Sequence, residues 1–131
     1  MPNWVIDNVL ATSPRPGFTS GPEYRVPDDV TERWLAETRD FGIASIMCLL
    51  ADDQLWLYHG NLLRRYESAG FTVAHIGTLD QQTHPFSQEQ YEYAWQAFQE
   101  LPKPVLVHCS AGMDRTGRIV AHILSRLEEL P

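Results

Sequence analysis

Cysteine is almost missing from this chain: Cys48 and Cys109 are its only two in 131 residues. Two cysteines cannot make a disulfide framework. Neither stands with histidine at zinc-site spacing, so the sequence calls for no metal and no cofactor. Basic residues are also few, 10 against 17 acidic, for a net charge of −7. That balance opposes general binding to nucleic acid or anionic lipid, since long-range repulsion must be overcome by a local basic patch. It leaves room for a phosphate-bearing substrate in a pocket that is positive only locally. No run approaches the roughly 18 apolar residues of a membrane span. The opening Met1-Pro2-Asn3-Trp4 has neither the basic region nor the apolar stretch of a signal peptide. A cytosolic protein with no membrane span is expected, without internal repeats or low-complexity segments. What is present is material for a core: 44% of positions are apolar, with four Trp, five Tyr and five Phe. Such a chain packs, and at this length it packs around one core, so a single domain over residues 1–131 is expected.

The periodicity alternates between strand and helix. Trp4-Val5-Ile6 and Val9-Leu10-Ala11 flank an Asp7-Asn8 turn, and the Pro- and Gly-rich stretch 12–27 reads as an irregular loop. Asp28 or Asp29 can cap a helix with Val30, Trp34, Leu35 and Phe41 on one face, ending at Gly42. The apolar run from Ile43 to Leu50 has the length of a strand buried on both faces. Leu55 to Ala69 reads as one helix stopped by Gly70, and Phe71 to Ile76 as a strand. Gly77 to Phe86 reads as a loop. Ser87 with Gln90 matches a capping box, followed by a stripe of Tyr91, Trp95, Phe98 and Leu101. Val105-Leu106-Val107 is a compact strand, and Ile119, Val120, Ile123, Leu124 and Leu127 recur at helical spacing. Strands alternating with helices predict an α/β fold, with a central, mostly parallel twisted sheet and helices on both faces.

The segment from His108 to Gly117 lies between a buried strand and an amphipathic helix, which is where parallel sheets bind ligands. There the next helix offers unpaired N–H groups and the positive end of its dipole. Ser110, Ala111 and Gly112 are small enough for the backbone to curl into an anion nest continued by Met113 and Asp114. Arg115 closes that nest with a fork of two donors matched to two phosphate oxygens. Cys109 stands at the near end. The donors that hold a dianion also favour its thiolate, and cysteines in such settings titrate at about 3.5–7.5. An in-line attack on a held phosphate gives a cysteinyl phosphate that water then hydrolyses. Thr116 can donate to the sulfur as it leaves, and His108 can orient the loop through its ring nitrogens.

His-Cys-x5-Arg-Thr-Gly resembles the signature of the cysteine-dependent protein tyrosine phosphatase superfamily, and the wider chain resembles its compact dual-specificity branch. The resemblance implies that fold, a metal-free phosphatase activity and a phosphorylated protein or small phosphomonoester as partner. The implied substrates are phosphotyrosine together with phosphoserine or phosphothreonine. A leaving alkoxide needs a proton, and in the dual-specificity branch a carboxylic acid on a comparable loop supplies it. Asp80, 29 residues before Cys109, matches that place. Asp114 is its rival, with Arg118 one helical turn away as a partner for its charge. Phosphoinositide phosphatases that resemble this loop often carry Lys where Met113 stands, which lowers a lipid reading, and the acidic balance lowers an RNA 5′-phosphatase reading. Most relatives continue further beyond the loop arginine than the 16 residues found here. A module that binds phosphate without turnover and a rhodanese-type sulfur transferase are the remaining alternatives. Cys48 reads as a core residue, although in some relatives a second cysteine protects the catalytic sulfur. His59, His75, His84 and His122 read as structural.

Overall fold

The computed structural model describes residues 2–77 and 85–131, so Asp80 and His84 lie outside the described residues. Asn3–Ile6 (β1) and Leu10–Ser13 (β2) pair antiparallel around the Asp7-Asn8 turn, where Asn8 takes a φ of 59°. Val105–His108 (β5) lies parallel between β2 and Ser45–Cys48 (β3), and Thr72–His75 (β4) runs parallel on the far side of β3. The sheet order is therefore β1-β2-β5-β3-β4. Every residue of β3 and β5 is buried, as continuous apolar strands covered on both faces must be. Ser13, His108 and Cys48 are level with one another at the carboxyl end of the parallel strands.

Helices cover both faces. Asp28–Asp40 (α1) and Leu62–Ser68 (α2) pack Leu35, Leu62 and Tyr66 against Ile46, Leu106 and Phe71. Gln88–Glu100 (α3) and Asp114–Glu128 (α4) pack Trp95, Phe98, Ile119 and Ile123 against Met47, Val105 and Val107 on the other side. The chain thus changes faces beside β5, and the opening between its carboxyl end and that of β3 is a topological switch point. Among the described residues, no helix is long and apolar enough to cross a membrane.

Two local expectations need correction. The single helix read from Leu55 to Ala69 is divided into a 3-10 helix, Asp52–Leu57, and α2. Gly60 takes a φ of 76°, and Asn61 Oδ1 accepts from the Leu63 and Arg64 amides, at 2.9 and 3.4 Å, to start a new helix. Neither Asp28 nor Asp29 caps α1. Pro27 holds the N-cap position without a side-chain bond, and the Asp28 carboxylate instead reaches Arg65 and His59, each at 3.1 Å. The capping box of α3 forms as read: Ser87 Oγ accepts from Gln90 N at 3.1 Å, and Ser87 N donates to Gln90 Oε1 at 2.8 Å. Gln90 Nε2 also donates to Gly77 O at 3.2 Å, which ties this helix start to the end of the β4 segment.

Candidate active site

Strand β5 delivers Cys109 to the switch point, where it is buried, and α4 begins five residues later. The turn between them depends on Gly112. Its φ is +79°, and a Cβ there would lie 2.6 Å from the carbonyl oxygen of Ser13. Backbone thus packs on backbone, and only glycine allows that approach. Met113 at the N-cap position makes no side-chain bond to the helix start, so the first amides of α4 carry no internal cap. Ser110, Ala111 and Gly112 are half-buried, whereas Met113 and Asp114 are exposed. Asp114 forms no ion pair with Arg118 among the described residues, contrary to expectation. One helical turn sets their spacing, but both side chains are exposed.

Arg115 turns inward from the first turn of α4 and is buried. Its Nη2 donates to Gln54 Oε1 at 3.0 Å. Burial pushes its guanidinium below the ordinary value, and the nearby Cys109 sulfur opposes that shift. The loop arginine and the cysteine therefore lie within electrostatic reach of each other. His108 is wholly buried. Its Nδ1–H donates to the Cys109 carbonyl at 2.9 Å, which leaves Nε2 to accept from the Tyr66 hydroxyl at 2.8 Å. Removal from water pushes this imidazole down to about 4, so it is neutral at pH 7 and acts as a strut of the loop. Thr116 Oγ1 is buried and makes no hydrogen bond to the described residues, Cys109 Sγ included.

Residues 32–129 match the tyrosine phosphatase family. The chain belongs to that family. Among solved structures it is similar to Tk-PTP, in a mutant form at 26% identity and TM-score 0.69, covering 98% of this chain and 73% of that one. The active form of Tk-PTP aligns at 25% identity and TM-score 0.66, covering 99% and 76%. Kinase-associated phosphatase with its catalytic-site cysteine replaced by serine aligns at 22% identity and TM-score 0.66, covering 90% and 65%. PTPMT1 in complex with PI(5)P aligns at 17% identity and TM-score 0.63, covering 95% and 72%. The last two likenesses show the fold alone. No curated protein sequence matches the chain significantly.

In this tyrosine phosphatase family member the tertiary structure adds residues that no local pattern announced. Gln54, on the 3-10 helix after β3, reaches Arg115 with Oε1 and Glu23 with Nε2, the latter at 2.8 Å. Tyr66 comes from α2 to His108. Arg15 and Tyr58 meet below the loop. For Arg15 the one available signal is its position in Pro14-Arg15-Pro16, a stiff segment directly after β2. Cys48, expected in the core, is buried on the face covered by α1 and α2, and burial pushes its thiol up to about 12.

Proposed function

We propose that this chain hydrolyses phosphate monoesters on proteins, phosphotyrosine together with phosphoserine or phosphothreonine, through a cysteinyl phosphate on Cys109. One observation carries the reading: Cys109 and buried Arg115 close the two ends of a single turn between the central strand and the start of α4. In this reading the amides of Ser110 through Asp114 and the Arg115 fork hold three phosphate oxygens, leaving phosphorus in line with Sγ. Sulfur attacks as the P–O bond to the leaving group breaks, and Asp80 gives that oxygen its proton. Water then attacks phosphorus and the S–P bond breaks, which returns the cysteine and releases inorganic phosphate. Thr116, whose buried Oγ1 has no partner among the described residues, is the donor assigned to the departing sulfur. The exposed Met113 at the lip of the loop, 72% accessible, offers no cation to neighbouring ring phosphates and favours a protein substrate over a phosphoinositide.

The test is turnover of an aryl phosphate by the purified chain. Activity that resists chelators, is blocked by vanadate and disappears in Cys109→Ser supports the enzyme, whereas activity surviving in Cys109→Ser removes it. Binding of phosphate without turnover selects the binding module. Asp80→Asn is expected to slow hydrolysis of an alkyl phosphate by about 100-fold or more and that of an aryl phosphate with a good leaving group far less. An equal loss on both, or a loss confined to Asp114→Asn, takes the acid role away from Asp80.

A further inference from the structure

Among the described residues, Arg15 is a buried cation whose hydrogen-bond partners are all neutral. Its side chain is 3% exposed. Nε donates to Ser110 Oγ at 3.1 Å, while Nη1 donates to Pro16 O at 3.3 Å and to the Tyr58 hydroxyl at 3.2 Å. Tyr58 in turn donates to Pro16 O at 2.6 Å, which locks the group in place. No carboxylate of the described residues forms an ion pair with this guanidinium. A charge removed from water is costly unless an opposite charge faces it, and neutral hydrogen bonds recover only part of that cost. Its contacts tie this charge to the loop from Cys109 to Arg115. Arg15 N donates to Ser110 O at 2.9 Å, so main chain and side chain both grip the same residue of the phosphate loop. Two residues earlier, Ser13 O lies against Gly112. The charge of Arg15 is felt within the loop's own support, since together with Arg115 it opposes protonation of His108.

We propose that Arg15 is the second fixed cation of the phosphate site, a positioning residue whose counter-ion is the phosphoryl dianion of the substrate. This rests on the reading of residues 109–115 as a phosphate cradle. Arg115 binds the dianion directly. Arg15 acts from below, holding Ser110 in the curled loop and adding a positive charge that no ion pair among the described residues offsets. Such a pair favours a dianion over a monoanion, because each added unit of negative charge meets two cations in a medium of low polarity.

The experiment measures the affinity for inorganic phosphate, by its effect on melting temperature and by competition with an aryl phosphate. It compares the wild type with Arg15→Met, Arg15→Gln and Arg15→Lys. Gln keeps a polar end facing Ser110 and drops only the charge, whereas Lys restores a charge without the fork. Phosphate affinity is expected to fall about tenfold or more in Met and Gln and to return to within about threefold of wild type in Lys. KM is expected to change more than kcat. Unchanged phosphate affinity in both neutral variants overturns the proposal, as does a Lys variant as weak as Gln. Failure of both neutral variants to fold marks Arg15 as a structural residue and overturns it too. A wild type that binds phosphate without turnover refutes the catalytic reading alone, since the binding series still decides on Arg15. A wild type that takes no phosphate removes both.

Discussion

Gly112 shows how much of the candidate site depends on a hydrogen atom in place of a side chain. Its positive φ would strain any L-residue, and a Cβ would press on the Ser13 carbonyl, which is backbone and cannot swing aside. Gly112→Ala is therefore expected to cost about 1–3 kcal/mol of stability. Because the strain falls on the loop proposed to hold phosphate, kcat/KM should drop along with it. Denaturant unfolding and steady-state kinetics on the same variant check both. Unaltered kinetics in a destabilised protein would separate Gly112 from the site. Tyr66 lends itself to a parallel argument. Its hydroxyl is the donor that meets His108 Nε2, and both groups are fully buried. Tyr66→Phe leaves that nitrogen without a partner and should destabilise the fold by about 1–3 kcal/mol.

The division of the expected 55–69 helix has a consequence for the site. The 3-10 helix Asp52–Leu57 carries Gln54 to Arg115, and the turn at Gly60 frees it from the direction of α2. A continuous helix would have placed residue 54 on the axis of α2. Asn61 restarts the helix by capping two amides, so Asn61→Ala is expected to cost about 1 kcal/mol, read as a lower denaturant midpoint at unchanged slope. Hydrophobic spacing alone could not reveal this break, because Leu55, Leu62, Leu63 and Tyr66 satisfy one helical face in either arrangement. Conversely, the capping box at Ser87 was legible because all of its interactions fall within four residues.

Across the molecule, the buried imidazole of His108 couples the fold to pH. Its folded value is about 4 against an ordinary 6.5, owing first to burial and then to the positive charges of Arg15 and Arg115 around it. The Cys109 carbonyl pulls the other way, and the Tyr66 hydroxyl meets the second ring nitrogen. Between these two values the unfolded chain binds more protons than the folded one, so stability rises with pH through that window. The contribution, about 3 kcal/mol, is complete above the unfolded value and is lost as pH falls toward 4. Urea unfolding from pH 7.5 to 4.5 should therefore show a steeper loss in the wild type than in His108→Asn. Parallel curves would mean that the ring is not held neutral.

The layered sheet, the order of its elements and the Cys109-to-Arg115 loop could be read from linear order because each rests on short-range chemistry. Apolar spacing selects strand or helix, and the small residues between Cys109 and Arg115 allow a tight turn, the one proposed here to cradle an anion. Arg15, Gln54, Tyr58 and Tyr66 could not be read, since their partners lie 95, 61, 42 and 42 positions away. Such meetings depend on β2, β3 and β5 lying side by side, and on helices returning over one face of the sheet. Burial on that scale is what turns an ordinary arginine into a fixed charge and an ordinary histidine into a neutral strut.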